Sequence, residues 1–310
     1  MSIYLSIATL EDFDIADTVI SAIQNADDPK GLYIGVAATT NVYFYESAVS
    51  HLGHLKRVSV RRYDPIEDRG IGKGRNNAKF AYDGQDYIVQ VDSHTHFTKG
   101  WDTFVTKLYE ESITVTGTDK TIATGYLAPY IKKNGVVEIL DTRLRYCVYS
   151  DDNFNDQVNI KCWEKMPIGQ FPGGIVDKRK KFFPANKIGA DFMIGNDYWA
   201  AYSGLPDNLV FWEEEVVQSV NLLNNGFALV FPNVDMPMTH RYWGTDMNIS
   251  RQGADKLYNN DTELSSLVNA NMQSFIKNNL DACVRYAEYC GYDLVTNSLS
   301  GKIVPDTYGF

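Results

Sequence analysis

Tyr87-Ile-Val-Gln-Val-Asp-Ser-His94 is an apolar run, rich in β-branched residues, that ends in a carboxylate and an imidazole. Apolar runs of this length are typical of a buried strand, and ligand sites in open α/β sheets lie just past the carboxyl ends of strands. Residues two apart point to the same side of a continuing strand, so Asp92 and His94 could bind one ion. Oxygen plus imidazole suits a divalent metal such as Mn²⁺ with open positions for phosphate oxygens. The alternative is a strand-end turn with two solvated polar residues.

Strand-like and helix-like segments alternate through the first third of the chain. Strands are predicted at 2–8, 32–38, 57–62 and 87–91, and helices at 15–26, 75–82 and 101–111. Asp12 and Asp14 offer capping oxygens for the first helix, and a glycine-rich turn at 70–74 precedes the second. Alternation with short connections predicts an α/β fold with a doubly wound, mostly parallel sheet and flanking helices.

The remainder of the chain is less regular in its middle and helical near its end. The middle, at 122–184, is interpreted as an elaboration on the sheet, with strand-like pieces at 136–140 and 145–149 and a Pro-Gly-Gly turn at 172–174. Further strand or helix segments are predicted at 191–203, 213–224 and 228–232. A helical region is predicted at 261–292, with candidate core contacts at Leu264, Leu267, Met272, Phe275 and Ile276.

Composition limits the class of protein. The chain has 310 residues, of which 44% are hydrophobic, enough for a large core. The net charge of −10 argues against a broad nucleic-acid surface, although a local basic groove stays open. The basic clusters at 57–62 and 177–181 are interpreted as solvated faces. Neither an N-terminal signal nor a long apolar span is evident, so we expect no membrane association and a cytoplasmic protein, in the host cytoplasm if the chain is viral.

The four cysteines lack the spacing of a metal site. None forms a Cys-x-x-Cys pair, and none is spaced with histidine as a zinc ligand set. We therefore expect free, buried or half-buried thiols in a reducing compartment.

The glycine-rich turn Arg69-Gly-Ile-Gly-Lys-Gly-Arg75 carries three cations. It matches neither the P-loop of nucleoside triphosphatases nor the G-x-G-x-x-G dinucleotide fingerprint. Glycines still permit close backbone approach, and a helix N-terminus favours anions. Beside a metal-binding strand, nucleotide or phosphate contact by Arg69, Lys73 and Arg75 is favoured over a flexible loop with solvated charges.

Two later segments carry further candidates. Trp212-Glu213-Glu214-Glu215 is either a cleft-facing acidic cluster or a helix start that is favoured by the macrodipole. His240, within Met238-Thr-His-Arg-Tyr-Trp243, is the preferred third metal ligand, although a lone histidine is more often a core or surface residue. His96 is ranked lower, and His51 and His54 are interpreted as polar loop residues.

The segments form an ordered pattern that resembles a known family. The matching pieces are Ser6-Ile-Ala8 with acidic residues after it, Arg69-Gly70, Gln90-Val-Asp-Ser-His94, Gly100-Trp-Asp102, Gly189-Ala190, Glu214-Glu215 and His240-Arg-Tyr242. Between residues 2 and 243 the chain resembles the GlcNAc-transferase family of cytoplasmic GT-A glycosyltransferases. The best-known members of that family act on a hydroxyproline of a ubiquitin-ligase subunit. The chain is more distantly similar to the polypeptide GalNAc-transferases, which share an Asp-x-His metal motif.

The resemblance implies domains, ligands and site residues. Residues 1–245 would be a GT-A-like catalytic domain that binds a nucleotide-sugar, and 246–310 a helical C-terminal extension.

The resemblance also implies roles for individual residues. Asp92, His94 and His240 would hold Mn²⁺ or Mg²⁺ on the diphosphate. Thr9 and Asp12 would lie near the nucleoside, and Arg69 and Arg75 would contact the base or pyrophosphate. Gly189 and Ala190 would form the wall beside the sugar, and Glu214 or Glu215 would bind sugar or acceptor hydroxyls. The family's small residue after Ala190 is replaced by Asp191, which puts the donor sugar and the acceptor in question.

The implied function is metal-dependent transfer of a GlcNAc-like sugar from a UDP-linked donor to an acceptor hydroxyl. The resemblance implies retention at the anomeric carbon, and Arg69, Lys73 or Arg75 would stabilise developing negative charge. Glu214, Glu215 and Asp191 are the candidate catalytic carboxylates, with Glu214 or Glu215 as general base if the enzyme inverts. The acceptor stays open between a protein hydroxyl, a glycan and a hydroxymethylated pyrimidine of viral DNA. A non-catalytic sugar-nucleotide or carbohydrate-binding protein is the alternative from another class.

Overall fold

The computed structural model describes residues 1–144, 147–149, 160–162, 181–185, 187–202, 204–211, 213–242, 261–290, 292–296 and 298–299. The predicted turn at 172–174, most of the basic cluster at 177–181, Trp212 and Trp243 lie outside these residues. Among the described residues, no helix combines the length and the apolar character needed to cross a membrane.

Strands and helices alternate along the described chain. The strands are β1 (Ile3–Leu10), β2 (Leu32–Thr39), β3 (Val58–Tyr63), β4 (Tyr87–Asp92), β5 (Thr95–Phe97), β6 (Thr121–Gly125), β7 (Ala128–Lys133), β8 (Val136–Ile139), β9 (Cys147–Tyr149), β10 (Ile160–Cys162), β11 (Phe182–Pro184), β12 (Phe192–Gly195), β13 (Ala228–Pro232), β14 (Met238–His240), β15 (Tyr292–Asp293) and β16 (Ser298–Leu299). The helices are α1 (Ile15–Asn25), α2 (Val42–Phe44), α3 (Ile71–Asn77), α4 (Trp101–Thr116), α5 (Asp197–Tyr202), α6 (Glu213–Asn224), α7 (Asp261–Asn278) and α8 (Leu280–Cys290). A π-helical turn at Tyr45–Val49 and a 3-10 turn at Ser50–His54 follow α2.

The central sheet has eight strands in the order β11-β13-β6-β12-β4-β1-β2-β3. Strands β4, β1, β2 and β3 are mutually parallel, as is the pair of β13 and β6. Strand β12 runs antiparallel between β4 and β6, and β11 runs antiparallel to β13. The doubly wound α/β arrangement therefore agrees with the prediction, whereas the antiparallel insertion of β12 was not predicted.

A second, four-stranded sheet lies beside the carboxyl end of β4. Its strand order is β5-β14-β7-β8. In this sheet His240 pairs with Thr95 on one side and with Pro129 on the other. A late segment of the chain is thereby brought next to the turn that follows β4.

The two faces of the central sheet differ in character. Ile3, Leu5 and Ile7 lie on one face of β1 and Tyr4 on the other, and all four belong to the main hydrophobic core. The alternate residues face α3: the Tyr4 hydroxyl donates to the Ala78 carbonyl at 2.7 Å. Alternation along β1 thus separates an apolar face from one that carries polar side chains.

The C-terminal helices are joined to α6 by a second hydrophobic cluster. It contains Val216, Val217, Val220, Met272, Phe275, Cys283, Tyr286 and Cys290, among others. Of the predicted core contacts, Met272 and Phe275 are buried and Ile276 packs against the cluster. Cys283 and Cys290 are free, buried thiols, as predicted. A division of the chain into domains at residue 245 stays a prediction.

Two local predictions were wrong. Helix α3 begins at Ile71 rather than Arg75, so Gly72 and Gly74 lie inside it. A Cβ at Gly72 would lie 2.2 Å from the Pro206 carbonyl oxygen, and the glycine therefore permits close contact with the segment at 206–209. Helix α1 has Asp14 at its N-cap, but no side-chain hydrogen bond caps it, because both predicted capping carboxylates bind other partners.

Candidate active site

A cavity of about 490 Å³ opens at the carboxyl ends of β1 and β4. One part of its lining is polar and includes Thr9, Asp12, Asp92, Ser93, His94, Asp191, His240 and Tyr242. Another part is apolar and includes Ile71, Val210, Phe211 and Leu264. Its position agrees with the general rule for ligand sites in open α/β sheets.

Asp92, His94 and His240 come together at this cavity and are called here the Asp-His-His group. One potential ligand atom from each lies within 4.8 Å of the others. The Nε2 atom of His240 lies 3.1 Å from Oδ2 of Asp92, and the two imidazole ring centres are 4.4 Å apart. A carboxylate and two imidazoles at this spacing form a donor set for a divalent metal.

The pairing of β14 with β5 creates the group. Because His240 pairs with Thr95, its ring lies beside the turn at residues 93–94, and the Arg241 N–H donates to the His94 carbonyl at 3.1 Å. Strand β4 ends at Asp92, so a turn rather than a continuing strand places His94 next to it. His96 lies on β5, where its ring centre is 5.8 Å from that of Tyr130, and it is outside the group.

Asp12 binds His94 from the segment between β1 and α1. Its Oδ2 lies 2.7 Å from Nδ1 of His94 and accepts a hydrogen bond from the Ser93 hydroxyl at 2.7 Å. Burial alone would raise the pKa of Asp12, but the bond to His94 and its charge lower that pKa to about 2. The Asp12 carboxylate therefore stays ionised beside the imidazole.

Arg75 binds Asp92 from a position outside the cavity lining that the described residues form. The guanidinium donates to Asp92 Oδ1, to the Val91 carbonyl at 3.1 Å and to Glu214 Oε2 at 3.3 Å. Burial would raise the pKa of Asp92, but the charge of Arg75 and the bond to His240 hold it below its usual range. Arg75 is buried and does not belong to the cavity lining formed by the described residues. Its side chain thus orients Asp92 instead of pointing to a ligand.

The two imidazoles of the group differ in charge. Burial and the nearby charge of His94 lower the pKa of His240 to about 4, which leaves that ring neutral. Burial also acts to lower the pKa of His94, but the bond to Asp12 and the charges of Asp12, Asp92 and Asp191 raise it to about 9. The carboxylates around His94 make this position favourable for positive charge, whether a proton or a metal ion supplies it.

Asp191 contributes a carboxyl group to the same cavity. Its Oδ1 lies 3.8 Å from Nε2 of His240. The Tyr242 hydroxyl contacts Asp191 Oδ2 and also lies 2.8 Å from the Leu127 carbonyl oxygen. Burial, followed by the negative charge of Asp92, raises the pKa of Asp191 well above its ordinary value. A neutral Asp191 could donate to Tyr242 while the phenol donates to the carbonyl oxygen.

The three consecutive glutamates of α6 are all buried and bind protein groups. Glu213 accepts from the N–H groups of residues 210 and 211, and Glu214 binds Arg75. Glu215 binds Nζ of Lys187, the Tyr126 hydroxyl and, at 3.1 Å, the Ala190 N–H. None of the three belongs to the cavity lining that the described residues form. A direct contact of Glu214 or Glu215 with sugar or acceptor therefore stays a prediction that this arrangement does not favour.

The remaining candidates are divided between the cavity and its surroundings. Thr9 lines the cavity, and its buried hydroxyl oxygen has no hydrogen-bond partner in the described structure. The Gly189 N–H donates to the Thr124 hydroxyl at 2.8 Å. Neither Gly189 nor Ala190 belongs to the cavity lining that the described residues form. Lys73 donates to the Glu67 carbonyl and lies 3.8 Å from Asp68. Arg69 is exposed, and the described lining includes its neighbour Gly70 but not Arg69.

Some cavity residues were given no role from the sequence. Ser93 and Tyr242 lie within the motifs quoted above, next to His94 and His240, and that adjacency was the available signal. Phe211 had no comparable signal, because its position depends on how the segment at 204–211 packs against α3. Leu264 was predicted only as a core contact and lines the cavity.

The sequence model of the glycosyltransferase (GlcNAc) family matches residues 43–288, most of the chain. The chain belongs to this family. The match includes the whole Asp-His-His group. The search of curated protein sequences found no match to this chain.

Solved structures extend the comparison to the fold of the chain. The crystal structure of GalNAc-T7 with UDP, GalNAc and Mn²⁺ has 11% sequence identity and a TM-score of 0.55, over 83% of this chain and 48% of that one. The chain thus spans about half the length of GalNAc-T7. Residues 1–349 of TarS from S. aureus have 12% identity and a TM-score of 0.48, over 90% and 74% of the two chains. The similarity to GalNAc-T7 confirms the predicted GT-A-like fold.

Proposed function

We propose that this protein is a glycosyltransferase that transfers a sugar from a UDP-linked donor to an acceptor hydroxyl and depends on a divalent metal. The observation that carries the proposal is the convergence of Asp92, His94 and His240 at the cavity of a glycosyltransferase-family member. Mn²⁺ is the proposed metal, with Mg²⁺ as the alternative, because one carboxylate and two imidazoles favour the softer ion.

The chemistry of the donor set fits such a metal. His240 is neutral near pH 7, because its pKa lies at about 4, and Asp92 is ionised. Nδ1 of His94 is occupied by Asp12, so Nε2 is the nitrogen left for a metal. When bound, the metal would act as a Lewis acid that offsets the charge of the leaving diphosphate.

Other cavity residues have proposed roles in binding and orientation. The Thr9 hydroxyl offers a hydrogen bond to the nucleotide from the end of β1. Asp191 is the one of the three candidate catalytic carboxylates that lines the described cavity. We therefore assign its carboxyl group to a sugar hydroxyl if the reaction retains configuration; if the reaction inverts, the ionised form of Asp191 would have to take the acceptor proton. Arg75 holds Asp92, and Glu214 and Glu215 anchor the wall behind the cavity.

Donor and acceptor are proposed from the family and its chemistry. The family description favours a GlcNAc-like sugar, and the UDP and Mn²⁺ in the GalNAc-T7 structure support a UDP-linked donor. Retention of configuration at the anomeric carbon is proposed because the resemblance in sequence implies it. A protein or glycan hydroxyl is preferred as acceptor over a modified DNA base, because the net charge of −10 opposes binding to nucleic acid. A cytoplasmic location remains part of this proposal.

Donor hydrolysis provides a test that needs no acceptor. The protein is incubated with a panel of nucleotide-sugars and Mn²⁺, and nucleotide release is measured with and without EDTA. We expect slow hydrolysis of a UDP-sugar that EDTA abolishes and Mn²⁺ restores. Binding of a UDP-sugar with neither hydrolysis nor transfer to any of a panel of acceptors would instead support the non-catalytic alternative. EDTA-resistant turnover would contradict metal dependence.

A further inference from the structure

Asp12 has a role that contact with a nucleoside does not explain. Its side chain is only 2% exposed. Oδ2 is engaged by His94 and Ser93, and Oδ1 accepts the Asp14 N–H at 2.9 Å. Both oxygens are therefore occupied by protein donors, although the residue lines the cavity.

The bond between Asp12 and His94 constrains the imidazole. A neutral ring that donates from Nδ1 presents the lone pair of Nε2, so a metal at Nε2 would take the place of the second proton of the imidazolium. Histidines that bind metals commonly donate their other N–H to a carboxylate, which fixes the tautomer and the orientation of the ring. The distance of 2.7 Å between Asp12 Oδ2 and His94 Nδ1 meets this requirement.

The surrounding contacts make the arrangement rigid. The Ser93 hydroxyl shares Oδ2 of Asp12, and the Thr18 hydroxyl of α1 donates to the Ser93 carbonyl at 2.7 Å. The segment that begins α1 therefore holds the turn after β4 at both backbone and side-chain atoms. The ring of His94 is oriented by residues that are about eighty positions away in the chain.

We propose that Asp12 is a positioning residue that holds His94 in the tautomer and orientation needed to bind the metal. This inference rests on the proposed metal site. Asp12 contacts neither the metal nor the donor in this account and acts through His94. Loss of its carboxylate should weaken metal binding even when nucleotide is absent.

The test measures Mn²⁺ binding without nucleotide, by the electron paramagnetic resonance signal of the free ion. Wild type is compared with Asp12→Ala and Asp12→Asn. We expect Asp12→Ala to weaken Mn²⁺ affinity by about 10–100-fold, the usual effect of losing such a partner. Asp12→Asn should fall between wild type and Asp12→Ala, because its amide oxygen can still accept from Nδ1.

Asp102→Asn is the matched control. Asp102 is also 2% exposed, and it accepts the N–H groups of Asp27 and Asp28 at 2.8 Å each. It lies outside the cavity lining formed by the described residues. Its substitution should lower the melting temperature but leave Mn²⁺ affinity unchanged, which separates positioning of the ligand from general stabilisation.

The outcomes separate this inference from the proposed function. A folded Asp12→Ala protein with Mn²⁺ affinity within about twofold of wild type would overturn the positioning role. If Asp12→Ala does not fold, the same affinity measured for Asp12→Asn would overturn it. Normal Mn²⁺ affinity with weakened UDP binding would make Asp12 a nucleoside contact and also overturn it. Absence of Mn²⁺ binding in wild type would overturn the metal site itself.

Discussion

Nε2 of His240 lies 3.1 Å from Oδ2 of Asp92, although 148 positions separate the two residues in the chain. The contact follows from the second sheet, in which β14 pairs with β5 directly after the turn that carries His94. Folding therefore assembles the proposed metal site from two distant segments. Each of its members can be tested by substitution.

Asp92→Ala should abolish sugar transfer and leave the protein folded. The variant loses the one carboxylate of the proposed donor set, while Arg75 keeps a buried partner in Glu214. Asp17→Ala is the control, because Asp17 is an exposed carboxylate that pairs with Lys132. Transfer and circular dichroism are measured together. Activity of Asp92→Ala within about tenfold of wild type, about 1.4 kcal/mol in the barrier, would contradict the assignment.

His240→Ala should weaken Mn²⁺ binding more than His96→Ala does. His240 belongs to the Asp-His-His group, whereas His96 lies on β5 outside it. Titration calorimetry with UDP and Mn²⁺ compares the two variants. The reverse order of affinities would show that the wrong histidine has been assigned.

Glu215→Gln should lower the free energy of unfolding by about 3–5 kcal/mol, since it leaves the buried ammonium of Lys187 without its carboxylate. Glu214→Gln should cost less, because Arg75 keeps its bond to Asp92. Urea denaturation measures both. Unchanged stability of Glu215→Gln together with a loss of transfer would indicate a direct role in catalysis instead.

The stability of wild type relative to Glu214→Gln should fall as pH rises from about 4.5 to 7. Burial raises the pKa of Glu214 to about 7, against the opposing charge of Arg75. In this window the folded protein binds more protons than the unfolded chain, so deprotonation favours unfolding. Glutamine does not titrate. Urea denaturation of both proteins across this range gives the difference, and a constant or rising difference would refute the assignment.

Gly35→Ala should destabilise the protein by about 1–3 kcal/mol, a usual cost of overpacking. A Cβ at Gly35 would lie 1.8 Å from the Tyr4 hydroxyl oxygen, which donates to the Ala78 carbonyl after α3. Gly53→Ala is the control, since its nearest contact would be at 4.0 Å. Thermal denaturation compares the two variants. Equal melting temperatures would mean that Tyr4 moves aside at little cost.

Features that depend on local periodicity could be predicted from the sequence. Helix α6 and strand β13 have the predicted bounds, and the apolar run before Asp92 forms β4. Helix α3 was placed too late, because its internal glycines are typical of a turn. They are accommodated there by close contact with the segment at 206–209, which only the folded structure reveals.

The partners of site residues were harder to predict than the residues themselves. Asp92 and His94 could be proposed as site residues because a strand ends at a carboxylate and an imidazole. The interactions of Asp12 and Arg75 depend on which buried groups face each other across the sheet, and a single sequence contains no signal for that. Glu215 was assigned to the cavity for the same reason, although it binds Lys187.

The most direct test of the metal site is a crystal structure with UDP and Mn²⁺, recorded at an X-ray energy that locates manganese by its anomalous signal. Our account predicts one strong peak bound by a carboxylate oxygen of Asp92 and by Nε2 of both His94 and His240, in contact with the diphosphate. A manganese peak at other side chains, or UDP bound in the cavity without manganese at this group, would contradict it.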